Sequence, residues 1–436
     1  MCAATLWHLF DLLPLASLLW TPSGLLGLHD HLAGGAGART LSLLRFIDGD
    51  AAPLVFFAAT WIAVLATLGS RHPGVWKWIA AAGVLSLHNR NWLAWTGGEA
   101  VASLLWIWAL CLPLGGQRVD EPGGSDKAPS APLAWSAPAA LQLQLVAIYL
   151  LNAAAKTGST WRSGEALQLF LAQDRVVSPA GLWIAENIPS DALWGATWAA
   201  LAIEWLVPVL IISPWRSRSC RRVAAIAVLV LHIGIAIVST LDSFSLFMCV
   251  FAVVLVPESD WARLPAAVGR WLDADGSPDR ARRYGGWLAL LFIALFVGQA
   301  AGMTDVAARL GLRQQWSMFA PDVPRDDGWM QVVVKLGDGP QVDLRTDAQP
   351  ALGKPDARLR RWHPRHEWIA HQAVRSKKAA QMYAEAVVRT HGLGRYEGGG
   401  GGHIDRARPR RRGARVDQIK LVWVTDTGQA RLEVAD

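Results

Sequence analysis

The sequence predicts an all-α polytopic membrane bundle of about eight or nine transmembrane helices, followed by a small C-terminal extracytoplasmic α+β domain. Three observations carry this. Hydrophobic residues make up 52% of the chain. Only 18% of residues are charged, against about 25% in a soluble domain. Several apolar runs reach the roughly 20 residues that cross a bilayer. The change in character falls near residue 303, which gives a bundle over 1–303 and a soluble tail over 304–436.

The first apolar run, Ala3 to Trp20, is interrupted by Asp11 and Pro14 and reads as a weak or truncated span. Thr21 to Asp50 is a loop with a Gly-rich patch and a short helix at Leu41–Ile47. Ala51 to Leu68 is a clear span. Val75 to Leu87 is a third, ending at His88-Asn89-Arg90-Asn91, and Gly97 to Leu114 is a fourth. Gly115 to Pro138 is a Pro/Gly/Ser linker. The fifth span runs from Ala139 to Lys156, and Thr157 to Asp191 is an amphipathic loop with one or two surface helices. Ala192 to Ile212 is the sixth span, Val223 to Thr240 the seventh, Phe244 to Val256 the eighth and Trp287 to Gly302 the ninth.

Charge fixes the orientation. Arg216, Arg218, Arg221 and Arg222 crowd one short loop, and short cytoplasmic loops collect Lys and Arg. Alternating outward from it places the N-terminus in the cytoplasm, and the 157–191 loop and the tail outside; the inner membrane is the site if the source is bacterial. The net charge of +7 is then a positive-inside bias rather than a nucleic-acid footprint. In the tail, Trp329–Leu336 and Gln341–Leu344 around Gly337-Asp338-Gly339 read as a β-hairpin. Asp356 to His391 has helical spacing, and two more strands flank Asp426-Thr427-Gly428. The scattered cysteines form neither a disulfide framework nor a metal site, and His29/His31 lack a third ligand. The glycine pairs do not follow strands, so none is a nucleotide loop.

Four polar features stand out against this apolar ground. Lys156 ends the fifth span, with Trp161 and Gly164 just beyond it. Buried, a lysine there would lose solvation and serve as a base; at the interface, it would snorkel beside an interfacial tryptophan. Asn152 lies one turn earlier on the same face, in reach of the amine or a ligand. Glu204 falls mid-span, where a carboxylate costs about 2.5–3.5 kcal/mol and must face a partner. His232 on the next span is one candidate and Lys156 the other; a proton relay and a protonated, structurally bonded Glu are both open. His88, Asn89 and Glu99 crowd the turn between spans three and four. They either bind a ligand headgroup or cap helix ends.

These passages resemble the horizontally transferred transmembrane (HTTM) domain family, whose best-known members are the vitamin K-dependent γ-glutamyl carboxylases. Ser86-Leu-His-Asn-Arg-Asn with Gly97-Gly98-Glu99 is similar to the family's motif between its third and fourth spans. Ala153-Ala-Ala-Lys156 with Trp161 and Gly164 resembles its Ala-Gly-x-Lys … Trp-x-x-Gly signature. The layout around Glu204 and His232 is similar, as is Trp316-Ser-Met-Phe-Ala-Pro321 after the bundle. The likeness covers roughly residues 5–345. It implies that Lys156, five residues before Trp161, is the base that starts oxygenation of a reduced, vitamin K-like quinone. The carboxylases carry two adjacent lysines before that tryptophan; this chain carries one.

Two functions follow as expectations. One is a carboxylase- or quinol-epoxidase-like membrane enzyme with a quinol or lipid-like substrate, Lys156 as base and an extracytoplasmic acceptor. Asn152, Trp161, His88, Asn89, Glu99, Glu204 and His232 would form its binding residues, without a metal. The alternative is a non-catalytic HTTM-domain protein that binds a lipid or a partner. A transporter is disfavoured by the lack of an inverted repeat.

Overall fold

A computed structural model describes residues 1–25, 41–111, 136–260, 316–390 and 416–435, apart from stretches of one to ten residues within them. The ninth expected span, the linker at 115–135 and the glycine run at 398–402 lie outside the described residues.

The described chain is mostly helical. Helix α1 (Cys2–Leu12) passes through a 3₁₀ turn at Leu13–Leu15 into α2 (Ala16–Trp20). The break falls at Pro14, which cannot donate the hydrogen bond a continuous helix needs. Then come α3 (Ala51–Gly69), α4 (Pro73–Arg90), α5 (Gly97–Cys111) and α6 (Ser136–Ala155). Three short helices follow: α7 (Ser159–Ser163), α8 (Ala166–Leu171) and α9 (Pro179–Asn187). The amphipathic loop is thus more helical than its sequence indicated. The bundle closes with α10 (Ser190–Ile212), α11 (Ser217–Val238) and α12 (Phe244–Ala252).

Four segments are long and apolar enough to cross a membrane: Cys2–Trp20, Ala51–Gly69, Ser190–Ile212 and Ser217–Val238. They fit a membrane protein. Gly97–Leu110, Leu141–Ala155 and Phe244–Leu255 are apolar but shorter. Helix α4 runs three residues further than expected, so His88, Asn89 and Arg90 form its buried last turn rather than an open loop. Large apolar side chains cover the outer faces of α10 and α11, including Trp198, Val209, Ile226 and Val230. Such a face is costly in water and suited to hydrocarbon.

The tail carries strands β1 (Gly328–Leu336), β2 (Gln341–Asp343), β3 (Val416–Thr425) and β4 (Ala430–Ala435) in one antiparallel sheet of order β2-β1-β3-β4. The hairpin joins β1 to β2, with Val334 opposite Val342. Helices α13 (Pro364–Ala373) and α14 (Lys377–Thr390) belong to the same region. Their core side chains, among them Ile369, Tyr383 and Val387, form one apolar cluster with Leu9, Trp20 and Leu87 of the N-terminal helices. A second cluster joins α5, α6, α10, α11 and α12 and includes Trp316. The candidate site lies beside this second cluster.

Candidate functional site

Helix α6 presents Tyr149 and Asn152 on one face, and Lys156 follows immediately after its last residue. Their i, i+3, i+7 spacing aligns them along two turns. Helix α10 lies against α6 and offers Glu204. Lys156 Nζ donates to both carboxylate oxygens of Glu204, at 2.5 and 2.6 Å. The side chains are 6% and 9% exposed, so Lys156 turns into the protein instead of snorkelling. Asn152 Nδ2 donates to Glu204 Oε1 at 3.0 Å. The Lys156 ammonium also sits 4.2 Å above the Trp161 ring, a cation–π contact.

His232 is not the partner of Glu204. Its Nε2 meets the Tyr149 hydroxyl at 2.8 Å, and its ring packs against Phe244 at 5.3 Å. His232 Nδ1 is buried and has no hydrogen-bond partner among the described residues.

These groups line one end of a cavity of about 900 Å³, counted with its mouth. The rest of the wall is apolar, with Phe170 from α8, Leu231 and Ile235 from α11, and Met248 from α12. One end is therefore ionic and hydrogen-bonding while the remainder is hydrocarbon. This pattern suits an amphiphile.

The segment 316–325 straps across the cavity. Met318, Phe319 and Val323 contribute to its wall. Met318 N–H donates to Asn152 Oδ1 at 3.0 Å, and Trp161 Nε1 donates to the Phe319 carbonyl at 2.8 Å. Asn152 thus touches both the ion pair and the strap. Asp322 Oδ1 accepts from the Thr160 N–H at 2.7 Å and from its hydroxyl at 2.9 Å. That carboxylate caps the first turn of α7 from a distant part of the chain. The Thr160 N–H holds its pKa below the usual carboxylate value. Gly158, at the N-cap, has no room for a side chain, since a Cβ there would collide with the Asp322 carboxylate. Gly164 ends α7 at φ 86°, a left-handed conformation that favours glycine. The Trp-x-x-Gly spacing thus marks a helix of a single turn and its stop.

His88, Asn89 and Glu99 are not among the described residues that line this cavity. They belong to a second buried cluster. Glu99 Oε2 accepts from the Thr96 N–H at 2.8 Å, and Thr96 Oγ1 accepts from the Gly98 N–H at 3.1 Å. This capping box starts α5. Glu99 Oε1 also meets Arg365 Nη1 of α13 at 2.9 Å and His8 Nε2 at 3.5 Å. His88 Nδ1 meets Ser103 Oγ at 2.9 Å, and Asn89 Nδ2 donates to the Leu41 carbonyl at 3.0 Å. Glu99 thus makes the helix-capping contacts, and Arg365 anchors it to the tail. Among the described residues no cluster of His, Cys, Asp or Glu could hold a metal.

Fold and site define a helical protein with membrane-length spans and a buried ion pair at one end of an apolar cavity. Compared with protein-family models, with curated proteins and with solved structures, the chain has no match.

Sequence reasoning passed over Tyr149, and it read Trp316–Pro321 as the opening of the tail rather than as a wall of this cavity. Tyr149 was findable, because it stands three residues before Asn152 on the same face. The motif containing Met318 and Phe319 stood out, but its docking place did not, since a contact with residues some 160 positions earlier leaves no local pattern.

Proposed function

We propose that the chain is an HTTM-type membrane protein that binds a quinol or another lipid-like molecule in its bundle and uses Lys156 to handle a proton there. One observation supports this above the others: a buried lysine and a buried carboxylate share the polar end of an otherwise apolar cavity. The residues suit an amphiphile with a hydrogen-bonding ring or headgroup. Asn152, His232 and Trp161 would hold the head, and Phe170 and Ile235 the hydrocarbon. A bound quinol would supply an acidic hydroxyl and reducing equivalents. Lys156 takes that proton only after passing its own to Glu204, which lies within hydrogen-bonding distance. Trp161 and the strap shield this exchange from water.

The same reading carries the topology. Eight or nine spans follow from the apolar runs, and a cytoplasmic N-terminus with an extracytoplasmic tail over 304–436 follows from the loop arginines. Lys156 ends the span that leads to the outer side, and its pairing with Glu204, well inside α10, sets it below that face.

The test is epoxidation of reduced vitamin K and of menaquinol by the purified protein, with oxygen and bicarbonate, comparing wild type with Lys156→Ala. Epoxide from wild type alone supports the lysine base. No epoxide from either folded protein rejects this chemistry for these quinols. A second reading, binding without chemistry, is favoured by the two short bonds from Lys156 to Glu204, which already occupy both side chains with each other.

A further inference from the structure

We infer that the cavity is entered sideways from the bilayer, along the seam where α10 and α11 meet. Its occupant has one hydrogen-bonding head and a hydrocarbon chain that stays near the lipid. This rests on the reading of the cavity as an amphiphile site and adds the route and the shape of the ligand.

The exposure of the lining gives the direction. Tyr149, Asn152, Glu204 and His232 are buried at the inner end. By contrast, Ala196 on α10 is exposed; Ala200 on α10 and Leu231, Ile235 and Val238 on α11 are half-buried, as are Met318 and Phe319 of the strap. The open rim therefore includes the two helices that are long and apolar enough to span a membrane. On the α10 side the rim residues are alanines one turn apart, so the helix offers little bulk there. Neighbouring Gly195 and Gly234 face open space.

The rim lies toward one end of the bundle. Ala196 and Ala200 fall in the first half of α10, and Leu231 to Val238 fall in the last third of α11. Exposed Trp183, Trp194 and Trp198 cluster around that end. Exposed tryptophans gather where hydrocarbon gives way to headgroups. Eight residues separate Ala196 from Glu204, so the ion pair sits roughly 12 Å deeper along the helix axis. A molecule entering at the rim reaches it head first and leaves its chain at the opening.

The inner end has a recognition group to spare. His232 is among the cavity's lining residues, and its buried Nδ1 lacks a partner among the described residues. A ligand hydroxyl or carbonyl would satisfy it. On the other side, the strap is fastened by Asn152, Thr160 and Trp161. A water-soluble ligand would have to break those bonds; a bilayer-resident one would not.

The experiment uses the full chain in liposomes with two photoprobes: palmitic acid with a diazirine on its chain, and a menaquinone with a diazirine in its prenyl tail. Adducts are mapped by mass spectrometry on wild type, Ala200→Trp and Ala196→Phe. We expect adducts on cavity residues such as Phe170 and Ile235 from at least one probe. Each variant should lower them at least five-fold while leaving adducts at the outward Val209 and Ile226 unchanged, which also reports a folded protein. Labelling by both probes assigns the site to chain amphiphiles generally; labelling by the quinone alone assigns it to a quinone head. Adducts confined to the outward face in wild type would overturn the proposal, as would cavity adducts that both variants leave intact. Lys156→Ala separates this from the chemistry: lost epoxidation with intact cavity labelling leaves the route standing.

Discussion

Lys156 Nζ stands 2.5 Å from one carboxylate oxygen of Glu204 and 2.6 Å from the other, across 48 positions of chain. Each side chain would otherwise be an uncompensated buried charge. Removing one partner of such a pair costs about 3–5 kcal/mol, whereas replacing both with apolar residues of similar volume is often neutral. Glu204→Leu and Lys156→Met should each destabilise the protein by that order. The double variant should recover most of it in a thermal unfolding cycle. Additive losses would mean that the two side chains are not coupled.

Gly158→Ala is expected to loosen the strap. Its new methyl would occupy the place of the Asp322 carboxylate. Forcing a group into a filled site costs about 1–3 kcal/mol. Adding Asp322→Ala should restore part of that loss, and cleavage within 316–325 by a soluble protease reads both changes. Equal protease resistance in wild type and Gly158→Ala would rule the contact out.

Asp322 makes the strap acid-sensitive. Its folded pKa lies below the ordinary value because the Thr160 N–H favours the carboxylate. A depressed carboxyl adds stability above its unfolded pKa, about 3.9, and loses it as pH falls through the folded value. The melting-temperature gap between wild type and Asp322→Asn should be constant from neutral pH down to about 5 and shrink below about 4. A gap that does not change with pH would exclude the carboxylate as the cap.

Arg365 should matter to the bundle although it lies in the tail. It is buried, and its Nη1 meets Glu99 Oε1 at 2.9 Å and the Ala94 carbonyl at 2.7 Å. Arg365→Ala would leave Glu99 without its cation, at about 3–5 kcal/mol. Arg365→Ala with Glu99→Gln should be closer to wild type. A loss confined to the tail, with α5 still protected from hydrogen exchange, would contradict the linkage.

The long apolar helices were legible because their composition alone sets them apart. Ala51–Gly69 and Ser190–Ile212 differ from the expected spans only at their ends. Glu204 announced that it needed a partner, but the choice between Lys156 and His232 depends on how α6, α10 and α11 are rotated against one another. No periodicity within one helix encodes that rotation. Helices α7 to α9 were under-read for a related reason. Pieces of five to nine residues are unstable alone and persist through tertiary contacts, such as Asp322 on α7 and Ser178 capping α9. The Glu99 cluster kept two readings because a capping box and a headgroup site use the same residue types; Arg365, from far along the chain, could not be foreseen as its partner.

The strap also sets an order of construction. The ribosome has made Lys156, Glu204 and His232 well before it reaches Met318 and Asp322. During synthesis the nascent bundle therefore holds its ion pair in a cavity with one side open. That side closes only when residues 316–325 emerge and dock, so a hydrophobic guest already present in the lipid can be captured before this wall closes behind it.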